Sequence, residues 1–282
     1  MFDILRNSEN AMRAFESGLK INTANMGNMS TIGYKSIQYN FQSIFGQVLN
    51  NGSSGSASHG GTNPVQQGQG VSLSAVKIDF SQGDLGAGGK LDLAIQGNGF
   101  FIVSASQGDD YFFTRAGNFT WNNNGYLVNS SGRKVYGFPY IGNEQYAHSM
   151  EPIYLENNRD AGWQFDGSDG ILVKNYEKSK NGDPSQPVYK IALTDFSNRS
   201  GLLQHDGTTF RATSSSGPAF APCFSQEQGL GSAISGSVEK SNVFFIGETI
   251  DATETQRAMQ ASLTSMKIAS QIIDNVIQML GN

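Results

Sequence analysis

The stretch ETIDATETQRAMQASLTSMKIASQIIDNVIQML, Glu248–Leu280, decides the fold. Its positions 252, 255, 259, 262, 266, 269, 273, 276 and 280 follow a 3-4 spacing and hold Ala252, Thr255, Met259, Ser262, Met266, Ala269, Ile273, Val276 and Leu280. That spacing lines them along one side of an α-helix. Such a helix measures roughly 50 Å at about 1.5 Å per residue, and Gly281 follows as a stop signal. The opposite end of the chain repeats the pattern with Leu5, Ser8, Met12, Phe15, Leu19, Asn22, Met26 and Met29. Pairing the two stripes still leaves an outer face. In ASQIIDNVIQMLGN that face carries one Asp and no Lys or Arg, poor in charge for a solvated helix.

Between the ends the period changes to two. VSLSAVKIDF, LDLAIQGNGFFIV, DYFFTRAGNFTW, GYLVN, RKVYGF, GILVKNY and PVYKIALTDF alternate as short strands, separated by Gly, Asn, Asp and Ser turns. WNNNGYLV and LVNSSGRKVYGF have the form of hairpins, with Gly125 and Gly132 free to take positive φ. The expected class is α+β: a mainly antiparallel β body, with long N- and C-terminal helices that pair in a coiled-coil-like inner layer. The expected parts are an N-terminal helix (1–32), a connecting segment with a flexible Gly/Ser loop (33–75), a β-rich body (76–240) and a C-terminal helix (241–282). The low-complexity run NNGSSGSASHGGTNP, Asn50–Pro64, is a flexible loop by composition.

Composition removes several functions. The 282 residues are 15% charged, below the roughly 25% usual for soluble chains, with 34 glycines and a net charge of -5. Phosphate binding needs clustered Lys and Arg, so nucleic acid is not an expected partner. The single Cys223 excludes an internal disulfide and a multi-cysteine zinc site. Asp3, Arg6 and Glu9 interrupt any apolar core of a secretory signal, and no apolar run reaches the roughly 18 residues of a membrane span. By themselves these features describe a soluble cytosolic chain, unless an export route without a cleaved signal exists. GNGFF lies inside a β-rich run with no helix after it, which removes a dinucleotide reading. DGSDG, Asp166–Gly170, lacks the closing Glu of a calcium loop and is better read as a turn. His59, His148 and His205 are scattered through loops, without metal-ligand spacing or a nucleophile motif around them. No residue stands out as catalytic, cofactor-binding or metal-ligating.

Four segments resemble the rod and hook family of bacterial flagellar axial proteins. NMGNMSTIGYK (Asn25–Lys35) resembles the family's N-terminal motif, with Met26, Gly27 and Met29 where Leu, Ala and Val are usual. LDLAIQGNGFFIV (Leu91–Val103) and FTRAGNFTWNNNGYLVNSSGRKVYGF (Phe113–Phe138) resemble its β signatures. GSVEKSNV and ETQRAMQASLTSMKIASQIIDNVIQML, between Gly236 and Leu280, resemble its C-terminal segment. The resemblance implies a structural subunit of a tubular homopolymer, exported by the flagellar type III apparatus without a cleaved signal and found in the hook or basal body. Its implied partners are further copies of itself and the neighbouring rod, hook and junction proteins. The wording of IDFSQGDL, TRAGNF, LVNSSG and VYKIALTDFSNRSGL is closer to hook proteins, which favours a short hook-type subunit. The length also fits a distal rod subunit, the alternative. The loop from Gly46 to Pro64 resembles an insertion that would add a stiffening contact between subunits.

The residues expected to meet neighbouring subunits are Leu5, Met12, Phe15, Leu19, Asn25, Met26, Asn28, Met29, Gly33 and Tyr34 near one end. Near the other they are Met259, Met266, Ile273, Val276 and Leu280. Asn22, Asn25 and Asn28 offer side-chain amides, and Gly33 permits the turn from helix to β body. The rivals are an enzyme, for which no residue speaks, and a secreted surface-binding module that would use Trp121, Trp163 and Tyr140.

Overall fold

The computed structural model describes residues 2–44, 47–52, 54, 60–105, 110–142, 145–155, 162–174 and 186–280. The fold is α+β, and the chain forms two interlaced compact units. Residues 1–27, 37–78 and 244–282 make a helical unit, and residues 28–36 and 79–243 a β unit. The chain therefore crosses from one to the other four times.

In the helical unit, α1 (Phe2–Gly27) packs along α2 (Phe245–Leu280). The α2 stripe behaves as its spacing requires as far as Ile273: Thr255 and Ala269 are buried, and Ala252, Met259, Ser262, Met266 and Ile273 are half-buried, whereas its last members, Val276 and Leu280, are exposed. α1 ends at Gly27, a weak helix former followed by the turn-forming run 28–33, so the stripe's last member, Met29, lies beyond the helix and is exposed. On the polar side of α1, Glu9 pairs with Arg13 and Glu16 with Lys20, one turn apart.

A two-stranded antiparallel ribbon completes this unit. Ile37–Ser43 pairs with Val71–Ile78, in register from Ile37 opposite Ile78 to Ser43 opposite Val71, with a bulge between Asn40 and Phe41. Gln47–Asn50 and Val65–Gln67 pair further along. The ribbon's aromatics lie against α1, where Phe15 meets Phe41 edge-on at 5.2 Å and Phe41 meets Tyr39 at 5.3 Å. Gly18 makes room for them, since a Cβ there would sit 2.9 Å from the Tyr39 ring. Of the Asn50–Pro64 loop, residues 53 and 55–59 fall outside the described residues.

The β unit is built on one antiparallel path. Its order is Trp163–Asp166, Ile171–Lys174, Gln186–Ile191, Lys134–Gly142, Phe100–Ser104, Tyr111–Thr114, Thr209–Arg211 and Leu203–Asp206. Phe100–Ser104 is buried along its whole length because both sheet faces are covered. Phe101 and Val103 face the main core with Leu93, Ile95, Leu127 and Ile191. Phe100 stacks edge-on with Phe80, Phe196 and Phe210 on the other face. Both expected hairpins form. Thr120–Trp121 pairs with Leu127–Val128 around Gly125 (φ 82°), and Val128 opposes Lys134 around Gly132 (φ 76°). The side-chain oxygens of Asn122 and Asn129 accept the turn amides. The stretch Asp166–Gly170 closes the hairpin of Trp163–Asp166 and Ile171–Lys174.

Two glycines separate conformational strain from steric clash. Gly33 has φ 69°, and a Cβ there would lie 2.4 Å from the Ala116 backbone nitrogen; Gly132 has φ 76° and open space around it. Gly132→Ala should cost about 1 kcal/mol of backbone strain. Gly33→Ala should cost several times more, because backbone must move. Urea denaturation of both variants checks the ranking, and equal losses would contradict it.

Candidate functional site

The candidate site comprises three polar nodes and one helix face. The first node holds the turn where the opening helix gives way to strand. Asn25 is 1% exposed. Its Nδ2 donates to the Ile37 carbonyl and its Oδ1 accepts the Ile37 amide, so one side chain replaces a strand partner at the ribbon's start. The same Nδ2 donates to Glu248 Oε1 at 2.9 Å, tying the end of α1 to the beginning of α2. The two helices are therefore antiparallel. One turn earlier, Asn22 Nδ2 donates to the Tyr39 hydroxyl, which lies 3.3 Å from Thr255 Oγ1. Asn22 and Asn25 thus pin α1, the ribbon and α2 to one another. Burial raises the pKa of the Glu248 carboxyl, only partly opposed by the hydrogen bond from Asn25.

The second node lies inside the β unit. Glu239, at the end of Ser237–Glu239, has no exposed surface, and neither has the Lys35 side chain beside it. Lys35 Nζ lies 2.6 Å from Glu239 Oε1 and donates to the Ser81 carbonyl. Arg115 Nη1 lies 3.3 Å from Glu239 Oε2, and its Nη2 donates to the Gly97 carbonyl. The Gly83 amide donates to the same carboxylate, and the Gly33 amide donates to the Glu239 carbonyl. One carboxylate therefore serves two cations, 204 and 124 residues away in sequence. Burial pulls the Lys35 and Arg115 pKa values down, and Glu239 opposes the shift in both.

The third node is Asn242. Its Oδ1 accepts the Ser36 amide, its Nδ2 donates to the Asp79 and Ser81 carbonyls, and the Asp79 amide donates to the Ser36 carbonyl. Residues 36, 79 and 243 mark where the chain enters or leaves the β unit. Asn242 holds these passages side by side.

The helix face lies on α2. Ile246, Ile250, Ile268, Ile272 and Met279 are exposed along one side of it, and Val276, Ile277 and Leu280 are exposed in its last turns. The hydroxyls of Thr249, Thr253, Ser262, Thr264 and Ser265 donate to carbonyls one turn back along the same helix. Small polar residues between the apolar ones thus present little unsatisfied polarity outward.

The expected contact residues separate into groups. Leu5, Met12, Phe15, Leu19 and Met26 are half-buried along α1. Asn25, Gly33 and Tyr34 are buried, Asn28 is half-buried, and Met29 is exposed. Met259, Met266 and Ile273 follow the buried row of α2, while Val276 and Leu280 are exposed. Lys35, Arg115, Glu239 and Asn242 escaped selection. The signal for them was present: each sits in one of the four family-like segments of a charge-poor chain.

Comparison with known proteins decides the family. The family model for the flagellar hook protein FlgE/F/G D1 domain matches residues 94–173. The chain is 29% identical to the flagellar basal-body rod protein FlgG of Bacillus subtilis over 269 residues, covering 95% of each. It is likewise 29% identical to FlgG of Caulobacter vibrioides, covering 98% of each. The chain belongs to the flagellar rod and hook axial family. Similarity to hook members is higher but shorter: 38% to FlgE of Treponema pallidum over 116 residues, and 35% to FlgE of Helicobacter pylori over 203. The chain spans about a quarter of these two hook proteins, 25% in each case. Within this axial family member, the D1 match lies wholly in the β unit, and the helices and Asn25 lie outside it.

Two substitutions test the nodes. Glu239→Gln leaves two buried cations around a neutral amide and should destabilise the β unit by about 3–5 kcal/mol in urea denaturation. Glu248→Gln keeps an acceptor for Asn25 but no longer titrates. The folded-state pKa of Glu248 is raised above its reference value of 4.5. Its contribution is therefore full below that value and lost as pH rises through the folded pKa. The wild type should lose stability relative to Glu248→Gln as pH rises from about 4.5 toward neutral. Parallel melting curves across that range would disprove the assignment.

Proposed function

We propose that this chain is a structural, non-enzymatic subunit that polymerises with copies of itself into the tubular axis of the bacterial flagellum and transmits motor torque. One observation carries the reading. Large apolar side chains of α2, from Ile246 to Leu280, stand in solvent, and full burial of one such side chain is worth about 1.5–3 kcal/mol. Neighbouring copies are the economical cover, through ridge-and-groove packing of helices. Beyond Val276 and Leu280, the wider expected set of contact residues is part of this proposal.

The two axial positions draw on different observations. The hook-type position, the first reading, is supported by motif wording and by the 35–38% identity to hook relatives. The distal rod position is favoured by end-to-end coverage of rod relatives, at 95–98% of their length. No helix among the described residues is long and apolar enough to cross a membrane. Family membership implies export by the flagellar type III route, and neighbouring rod, hook and junction proteins as further partners.

Polymerisation of the purified chain, seeded with fragments of flagellar axes and followed by sedimentation and electron microscopy, tests the proposal. The wild type should add to the seeds. Ile268→Asp should fold with an unchanged melting curve yet fail to add, because an unpaired charge would enter a dry contact. Normal growth of the Ile268→Asp polymer would refute the packing claim. Gold-labelled antibody on isolated hook–basal bodies assigns the position: label on the curved external tube means hook, and label on the straight shaft means rod.

A further inference from the structure

The exposed large apolar residues of α2 fall in its first two turns and from Ile268 onward. Measured from the bond between Asn25 and Glu248, α1 runs back to Phe2 and reaches about residue 271 of the longer α2. Beyond it, Ile277 (62% exposed), Met279 (81%) and Leu280 (83%) stand free. Ile277 and Leu280 extend the same helix side as Ala269 and Ile273, the row turned toward α1. The helix seam therefore runs on past the element that covers it. At the opposite end, Ile246 (61%) and Ile250 (53%) are exposed one turn apart, on the same side as Ile268, Ile272 and Met279. The middle of that side holds Thr253, Arg257, Ala261 and Thr264 and has no large apolar group.

We infer that the C-terminal end of α2 in one copy seats on the Ile246–Ile250 end of α2 in the next, head to tail. This rests on the polymer reading above and specifies which surfaces meet. Ile246 and Ile250 at one end, and Ile268, Ile272 and Met279 at the other, lie along one side of the same helix. A half-turn about an axis parallel to the helix, combined with a shift along it, therefore turns one patch to face the other. The two patches differ, so the contact is heterologous, the kind of contact that an open filament requires. Two C-terminal ends meeting each other would instead form a closed pair and stop growth. The segment from Gln271 to Leu280 carries one charge, Asp274, so little desolvation opposes its burial.

Cysteine cross-linking tests the contact. In a Cys223→Ser background, polymers of the Ile250→Cys, Met279→Cys double variant should give a ladder of disulfide-linked multimers on a non-reducing gel. Each single variant should remain monomeric. Dimers from Met279→Cys alone, or polymers of the double variant without cross-links, overturn the head-to-tail contact while leaving the polymer reading intact. Failure of the wild type to polymerise overturns the polymer reading itself. A charge exchange covers the case in which the cysteines prevent assembly. Ile250→Lys and Met279→Glu should each reduce seeded growth at least tenfold, and their combination should restore most of it. Unaffected single variants, or a double variant no better than either single, overturn the contact.

Discussion

The Glu239 carboxylate is the constraint around which the β unit closes. It brings together Lys35, from the first passage of the chain through that unit, and Arg115, from the body of the second. A buried carboxylate between two cations does little for net stability compared with an apolar cluster of the same volume, but a missing partner is costly. The triad therefore works as a requirement for completeness, since three distant segments must all arrive before any of the charges is satisfied. Asn242 extends the requirement to the backbone, joining the passages at Ser36 and Asp79 through its own amide. Asn25 does the same in the helical unit with Ile37 and Glu248. Where an interlaced chain changes units, the described structure places a polar side chain that bonds backbone from another passage.

Much of this fold was legible beforehand because it is local. The 3-4 spacing of Met259, Ser262, Met266 and Ile273 marked the side of α2 that lies against α1, and the Asn and Gly residues at 122–125 and 129–132 marked two hairpins. What pattern could not show was partnership at a distance. Lys35, Arg115 and Glu239 occur in recognisable segments, but no periodicity links residues more than a hundred positions apart. The segment 33–75 reads as a connector with a flexible Gly/Ser loop, and only the strand beginning at Val71 stands out in it. The structure places its strands against α1 through Tyr39 and Phe41, in the space that Gly18 leaves. The outward face of α2 was visible only as a shortage of charge. Its apolar stripe is diluted by Thr, Ser and Ala, whose hydroxyls turn to their own helix backbone, a detail that composition does not contain.

The two sides of α2 also divide the labour of the helix. One side carries small and flexible residues, Ala252, Thr255, Ser262 and Ala269 with Met259 and Met266 among them, which permit close approach to α1 and adapt to its surface. The other carries β-branched isoleucines with few rotamers, suited to a defined contact. A helix built this way is stable enough to hold its partner within the subunit and remains unfinished as a surface.

The bond between Asn25 and Glu248 joins positions 223 residues apart. Helix–helix contacts are usually local and quick to form, whereas this pair closes a very long loop, and loop closure of that kind slows folding. A ribosome must release nearly the whole described chain before α1 can find α2. Until then both helices are short of the tertiary packing that most helices in proteins depend on, and the growing polypeptide keeps its helical unit open. Interlacing thus acts as a clock: the surface suited to joining other copies appears only once α2, far along the chain from α1, has been made.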